Sequence, residues 1–597
     1  MQSVNVLGVS FGYHDAAAAL IRDGVVVAAA QQERFSRRKN DPGFPADAIA
    51  HCLAVAGIGA DQLSLVAYYE DSLVKFDRVV STAIEGFPAS RRNFDETVAR
   101  WVRDGRFQVR ERLADHLGVP LDMVVETNHH DSHGASAYFC SPFDSAAVVT
   151  LDGVGEYETA TIGVGRDGRL QRLGAVRLPH SIGLFYSAFT AYLGFTVNEG
   201  EYKVMGMSAF GSPVFKDRLL DMFTLNGDGT FELDQTCFEF LTPEEFPFNQ
   251  SLIDRLGPAR VPGAPFAVDE AHMPEDVSVE QRAGVLGDSR RFADVAASVQ
   301  ACTEEVILHI VRHAAARTGQ TSVCLAGGVA LNSLANGRLQ REGLSLFVQP
   351  AAGDAGGAVG AAAYHWHHTL GKGRMAPLKS SAFGRQFSRG DVDKALANSG
   401  FELVFASDDE GEYLAAVAKL IADGNVVGWV HGRSEWGPRA LGYRSILADP
   451  TSPSIQRRIN DKIKFREPFR PFAPAVIAER AAEFFELPQP LTPCSPESFM
   501  LAVHPVKSQW RERLPGVTHA DGTARVQAVH ADCHPVFYRL LRAFEAVRQV
   551  PILVNTSFNL NGEPIVDSPQ DAIRTFTLSG LDYLCMENRI LSKAIIL

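Results

Sequence analysis

The sequence predicts an α/β protein, with a duplicated α/β unit in its first part and a separate α/β domain in its second. Three observations predict it. A strand, polar turn and hairpin occur in the same order twice; glycine-rich loops follow later strands; and residues 370–386, rich in Gly, Pro, Ser and Lys without apolar periodicity, divide the chain. The expected domains are 1–375 and 376–597.

Residues 4–10 alternate and carry enough β-branched side chains for a strand. The polar turn Gly12-Tyr13-His14-Asp15 follows. Residues 16–21 and 25–30 then read as strands joined by Arg22-Asp23-Gly24, because an Asp-Gly step between apolar runs favours a tight hairpin. The phrase returns as a strand at 146–151, a turn opened by Asp152-Gly153, and strands at 159–164 and 170–176 around Arg166-Asp167-Gly168. With helical stretches such as 292–315, the two copies form related halves facing each other across a cleft, so their turn residues line it. Two strand-loop-helix phrases follow, one with Ala326-Gly327-Gly328 and one with Gly353-Asp354-Ala355-Gly356-Gly357. Glycines at strand ends let a ligand approach the backbone, and a helix N-terminus there attracts anions. Residues 243–277 are irregular, with six prolines (Pro243, Pro247, Pro258, Pro262, Pro265, Pro274), and are expected to form long loops over the cleft.

Composition narrows the function classes. With 46% hydrophobic and 21% charged residues over 597 positions, the chain is neither disordered, collagenous nor a coiled coil. Eight cysteines lie far apart without a CxxC, which excludes a disulfide scaffold or a cysteine zinc site and fits a reducing cytoplasmic setting. The first twenty residues lack the basic flank of a secretory signal, and no apolar run reaches the roughly 18 residues a bilayer needs, so no membrane partner is expected. A formal charge of −13 argues against nucleic acid as a partner.

Asn128-His129-His130-Asp131-Ser132-His133 places His129 and His133 at i and i+4, one turn apart on a helix, as a shared metal requires. A zinc protease would have Glu beside the first histidine as its base, and His130 stands there instead. Asp152 and Asp354, at strand ends expected to face the cleft, add two oxygen donors. Two histidines with carboxylates suit Fe(II), Mn(II) or Zn(II) better than Ca(II) or Mg(II); the alternative is a helix cap with surface histidines. His14 is another titratable group of the cleft, able to take a proton from a hydroxyl or to serve as a turn histidine. Glu199, Glu201 and Lys203 mark a polar loop, lining the cleft or solvated.

The C-terminal part carries a basic cluster. Between His431 and Arg470 stand nine basic residues (Arg433, Arg439, Arg444, Arg457, Arg458, Lys462, Lys464, Arg466, Arg470) against four acidic ones (Glu435, Asp449, Asp461, Glu467). They are interleaved with Gly, Pro and Phe instead of the Lys/Glu pairs of a solvated face, which points to an anion pocket. Asn555-Thr556-Ser557-Phe558-Asn559 follows a buried strand, and Thr518 to Arg525 adds a polar turn. No GxxxxGK[ST] occurs, so any nucleotide binds without a P-loop.

Eleven segments in one order resemble the O-carbamoyltransferase family of nodulation-factor and antibiotic-biosynthesis enzymes: 12–16 (GYHDA), 33–39 (ERFSRRK), 129–133, 179–185 (PHSIGLF), 199–211, 326–336 (AGGVALNSLAN), 353–357, 432–447, 460–474, 521–527 and 555–566. The resemblance implies a duplicated actin-like domain of the ASKHA, ribonuclease H-like kind, followed by a YrdC-like domain. It implies that the second domain makes carbamoyl adenylate from carbamoyl phosphate and ATP with Mg2+, and that the first passes the carbamoyl group to a hydroxyl of a small-molecule natural product. Carried over by motif, the metal ligands are His129, His133, Asp152 and Asp354, with Fe2+ favoured over another divalent transition metal. Carbamoyl phosphate and nucleotide contacts come from Arg439, Arg444, Lys464, Arg466 and Ser557, while His14 and Lys39 serve transfer. Two other readings share some of these features: a tRNA threonylcarbamoyl-type transferase, disfavoured by the acidic charge, and a nucleotide- and metal-binding regulator without turnover. Motif reading does not reach the acceptor or the oligomeric state.

Overall fold

The computed structural model describes residues 3–241, 246–274, 277–397, 399–488 and 490–593. The chain forms two compact units. One comprises Met1–Gly12, Ala19–Val26 and Gly57–Ala376, the other Tyr13–Ala18, Val27–Ala56 and Pro377–Leu597. The expected division between 375 and 376 therefore needs correcting at residues 13–18 and 27–56. Hydrogen bonding within the second unit explains the difference: Arg34 Nη2 donates to the Gly437 carbonyl (2.9 Å), and Arg37 donates to the carbonyls of Ile565 (2.7 Å) and Pro564 (2.9 Å).

The first unit is built on two sheets, of which residues 17–18 and 27–31 count with the second unit. The strands β1 (Asn5–Ser10), β2 (Ala17–Arg22), β3 (Val25–Gln31), β4 (Leu65–Tyr68) and β5 (Val124–Glu126) lie in the order β3-β2-β1-β4-β5. The second sheet contains β6 (Ser145–Leu151), β7 (Glu158–Arg166) and β8 (Arg169–Arg177). After a small hairpin of β9 (Phe223–Leu225) and β10 (Phe231–Leu233), it is completed by β11 (Ser322–Ala326) and β12 (Ser345–Val348), in the order β12-β11-β6-β7-β8. The two orders are the same once β6 is set on β1, and in both sheets the added strands run parallel to the founding one. That repeat is a duplicated α/β fold, as the sequence predicts. Burial follows position: β1 is buried at every residue, as a central strand covered on both faces must be.

Two expected elements differ. The helix expected at 292–315 runs from Val279 to Thr318, because Ser278 and Gln281 form a capping box that starts it earlier. Residues 201–207, expected as loop, are a short helix, Glu201–Met207; Glu201 accepts from the Asn198 N–H (2.9 Å) and Ser187 Oγ (3.0 Å). Of the irregular stretch at 243–277, the residues 243–245, with Pro243, and 275–276 lie outside the described residues; the rest holds one two-turn helix, Gln250–Leu256, and a short 3-10 turn. Among the described residues no helix is long and apolar enough to cross a membrane.

The second unit carries an eight-stranded sheet. Its strands are β13 (Glu402–Ala406), β14 (Val427–Val430), β15 (Arg444–Ala448), β16 (Ala473–Ile477), β19 (Gln527–Val529), β20 (Ile552–Ser557), β21 (Tyr583–Met586) and β22 (Arg589–Ser592). The order is β13-β22-β21-β14-β15-β20-β16-β19, with β17 (Val503–Pro505) and β18 (Thr523–Arg525) paired separately. Alternation assigns Ile552 and Val554 to one apolar core and Leu553 to another, so both faces of the sheet are covered. Asn555 continues the Leu553 face and Ser557 follows two residues on, which brings polar groups to the end of a strand whose earlier residues are core.

Candidate functional site

In the first unit, His129 opens the helix His129–Tyr138 and His133 follows one turn later, both buried. Asp152 comes directly after β6, and Asp354 is the first residue of the helix Asp354–His368. Two close backbone approaches bring these pieces together. Gly360 packs so near the His129–Tyr138 helix that a Cβ there would lie 1.8 Å from the Ser132 carbonyl. At Gly327, φ is +93° and a Cβ would lie 2.1 Å from the Leu151 carbonyl, so only glycine lets the loop after β11 close over the end of β6.

The result is a four-donor cluster, one ligand atom from each of His129, His133, Asp152 and Asp354, all within 4.8 Å of one another. Asp152 Oδ2 lies 2.9 Å from His129 Nε2 and 3.5 Å from His133 Nε2. Asp354 Oδ1 lies 3.8 Å from the first nitrogen and 3.6 Å from the second. The outward carboxylate oxygens are held elsewhere: Gly328 N–H donates to Asp152 Oδ1 (3.1 Å), and Tyr69 OH donates to Asp354 Oδ2 (3.3 Å). Each aspartate is thus left with one oxygen facing the imidazoles. Glu156 accepts from the His129 N–H (2.9 Å) and from Asn128 Nδ2 (2.9 Å), fixing the start of the helix.

Electrostatics agree with a site built for a cation. Burial opposes charge on Asp152, but the hydrogen bonds with His129 and His133 outweigh it and hold the carboxyl well below its usual range. Burial likewise opposes the charged form of His129, and Asp152, Glu70 and Asp354 overcome it, raising the imidazole well above its ordinary value. His130 takes no part: its nitrogens meet Thr150 Oγ1 (2.7 Å) and the Glu158 carbonyl (2.8 Å), and burial followed by its two histidine neighbours keeps it neutral. Two imidazole nitrogens and two carboxylate oxygens converging on one buried point fit a divalent transition metal.

In the second unit, Lys464, Arg466, Arg470 and Ser557 lie together, and Arg439 and Arg470 lie near Arg525. Lys464 is 3% exposed, and its ammonium donates to the Ser557 carbonyl (2.5 Å), Ser557 Oγ (3.0 Å) and Asn559 Oδ1 (2.9 Å). Burial, then the charges of Arg466, Arg470 and Lys39, push its pKa well down. Arg466 is oriented by Asn460 Oδ1 (2.7 Å) and lies over the Phe472 ring (4.8 Å). Arg525 is held well below its ordinary value by burial and by Arg439 and Arg470. Two buried cations, Lys464 and Arg525, each with further arginines beside it, mark a place where an anion is favourable.

Arg444 requires a correction. It is fully buried, and its guanidinium donates to five main-chain carbonyls, those of Asp567, His431, Gly432, Tyr443 and Arg385. Three of these carbonyls share the two Nη1 hydrogens, and with the side chain fully buried no part of it faces a substrate anion; Arg444 supports the loop that carries Arg439. Lys39 and His14 both count with the second unit. His14 is 26% exposed and its Nδ1 is 3.0 Å from Asp15 Oδ2.

Sequence reasoning passed over several residues. Arg525 stands inside a quoted motif as part of a polar turn, and only its burial beside Arg439 and Arg470 singles it out. Glu70, Tyr69 and Glu156 have no telling spacing, and only the folded chain brings them to the histidines.

The two-histidine, two-aspartate cluster in one unit and the buried cations in the other belong to a transferase, as its family shows. The chain belongs to the carbamoyltransferase family: residues 5–363 match Carbamoyltransferase N-terminus and residues 418–593 match Carbamoyltransferase C-terminus. It is 41% identical to an uncharacterized protein of Synechocystis, over 99% of this chain and 97% of that one. It is 35% identical to nodulation protein NolNO of Sinorhizobium fredii, over 97% of this chain and 79% of that protein. Nodulation protein NolO of Bradyrhizobium diazoefficiens is 37% identical over 76% of this chain and 77% of its own.

Proposed function

We propose that this chain is an ATP-dependent O-carbamoyltransferase that forms carbamoyl adenylate and transfers its carbamoyl group to a hydroxyl of a small-molecule natural product. The observation that carries the reading is the group of cations around buried Lys464 and Arg525, in a carbamoyltransferase whose other unit holds a separate four-donor centre.

The chemistry follows from what a carbamate is. Nitrogen donates into its carbonyl and makes it a poor electrophile, so it needs a good leaving group. Water cleaves carbamoyl phosphate to carbamate and phosphate; a carbamate oxygen attacks the α-phosphorus of ATP, and pyrophosphate leaves. Arg439, Arg466, Arg470 and Arg525 offset the charge that builds on the phosphates. Lys464 holds Ser557 in place beside them. In transfer, the acceptor hydroxyl attacks the carbamoyl carbon, AMP departs and one proton is released, which His14, held by Asp15, takes as base. Lys39 steadies the phosphate of the adenylate. His129, His133, Asp152 and Asp354 would hold the metal, with Fe2+ favoured, and bound there it supplies a Lewis acid for an oxygen of the adenylate. ATP enters with Mg2+. The reading places the enzyme in the cytoplasm, in secondary metabolism such as antibiotic biosynthesis, with no nucleic acid or membrane partner.

The test is pyrophosphate release from ATP, Mg2+ and carbamoyl phosphate by the purified chain. Release that depends on carbamoyl phosphate and persists in a His129→Ala/His133→Ala variant supports activation apart from the metal centre. Nucleotide binding without release sinks the proposal in favour of a regulatory protein, and a requirement for threonine and bicarbonate sinks it in favour of threonylcarbamoyl chemistry.

A further inference from the structure

An imidazole that offers its Nε2 lone pair to a metal carries its proton on Nδ1, and a buried Nδ1–H needs an acceptor. His129 Nδ1 is buried and has no hydrogen-bond partner among the described residues. The carboxylate beside it is Glu70, whose Oε2 lies 3.8 Å away, within ion-pair range. Glu70 follows β4 directly and is 5% exposed, so its charge is not met by water. Lys75 Nζ pins it by donating to Oε2 (2.5 Å), and Tyr68 OH, whose single hydrogen is shared with the Phe11 carbonyl (2.7 Å), lies 3.2 Å from Oε1. It stands on the far side of the ring from Nε2, outside the four-donor cluster, and so is not a fifth ligand.

We infer that Glu70 is a positioning residue for the metal centre: anchored by Lys75, it selects the His129 tautomer and ring orientation that turn Nε2 toward Asp152 and Asp354. The inference rests on the reading of the cluster as a transition-metal site. A buried lysine–carboxylate pair also has a purely structural explanation, since two ions that neutralise each other can sit in any core. The placement argues otherwise. The carboxylate lies against the one nitrogen of His129 that has no other partner, five residues before the lysine that neutralises it. A carboxylate behind a ligating histidine fixes the tautomer and raises the basicity of the ligand, and its loss costs about 10- to 100-fold in metal affinity.

The experiment titrates Co(II) into the full-length metal-free chain and into Glu70→Ala, Glu70→Gln and Glu70→Ala/Lys75→Met variants, reading the dissociation constant, the visible ligand-field band and the metal-free melting temperature. Glu70→Ala alone leaves the Lys75 charge unpaired and is expected to melt lower. The double variant removes both ions, so its metal-free melting temperature recovers. The expected result is that its Co(II) affinity nevertheless stays about 10- to 100-fold below wild type, with a shifted band, and that Glu70→Gln, which keeps an acceptor, falls between. A double variant that binds Co(II) within about twofold of wild type with an unchanged band overturns the inference and leaves a structural ion pair. Wild-type protein that takes up no Co(II), Fe(II), Mn(II) or Zn(II) overturns the metal reading itself, and the inference with it.

Discussion

The Nε2 atoms of His129 and His133 lie 3.1 Å apart, too close for two lone pairs to face each other without a positive charge between or beside them. Asp152 Oδ2 approaches both nitrogens, so the arrangement favours a cation shared by all three side chains. Replacing either histidine by alanine, or Asp354 by asparagine, is therefore expected to lower transition-metal affinity at least about 100-fold, since each ligand is one of four. Equilibrium dialysis with metal analysis checks it. Carbamoyl transfer should fall with metal content, while pyrophosphate release stays within a fewfold of wild type.

Arg439 and Arg444 lie five residues apart, and their variants should fail in different ways. Arg444→Met strips donors from five main-chain carbonyls and should destabilise the second unit by at least about 3 kcal/mol, at roughly 1 kcal/mol or more for each buried group left unsatisfied. Arg439→Ala should leave the urea midpoint almost unchanged and raise the KM for carbamoyl phosphate at least about tenfold, as loss of a charge-assisted contact does. Denaturant unfolding beside steady-state kinetics separates them. Equal losses of stability in the two variants would remove the distinction.

Acid should loosen the second unit through His534. Its ring stacks on Tyr443 at 3.8 Å, and burial, then the charge of His431, lowers its pKa from 6.5 to about 3. The folded value lies below the unfolded one, so the neutral folded form is fully favoured above pH 6.5 and its advantage is lost as pH falls from there toward 3. At about 1.4 kcal/mol per pH unit, His534 should cost on the order of 3 kcal/mol between pH 7 and pH 4. His534→Phe keeps the stack and cannot titrate. Melting curves at the two pH values should show the variant losing less stability than wild type, and equal losses would refute the assignment.

The thiols should be nearly silent. Burial pushes Cys52, Cys140 and Cys324 up to about 12, and among the eight cysteines only Cys533 is partly exposed. At pH 8 an aromatic disulfide reagent should label at most one thiol per folded chain, slowly because Cys533 itself lies near 11, and all eight in denaturant. Rapid modification of two or more in the folded protein would contradict the burial pattern.

Much of the first unit was legible because it depends on local rules. The two Asp-Gly steps sit between apolar runs, and the hairpins form around them, β2 with β3 and β7 with β8. The i, i+4 spacing of His129 and His133 requires only that their segment be helical. The strand end before Asp152 follows from the change from apolar to polar residues, and the same change at Asn555 marks the last residues of β20. The Glu201–Met207 helix was missed because two buried residues, Val204 and Met207, are too short a stripe to read in seven residues that begin with Glu201 and Lys203 and contain Gly206.

What the sequence by itself determined is the set of elements, the duplication and the residue types able to hold a metal or an anion, because periodicity, turn chemistry and donor chemistry are carried by neighbours along the chain. Only the tertiary structure decided what each side chain is left free to do. Arg444 and Arg466 are the same residue type in one basic stretch, yet the first is fully buried against five main-chain carbonyls, while the second is held by Asn460 and lies over Phe472. Glu70 reads as one more acid after a strand until packing sets it behind His129. Hydrogen-bond saturation and burial depend on which distant segments meet, and no local pattern encodes that.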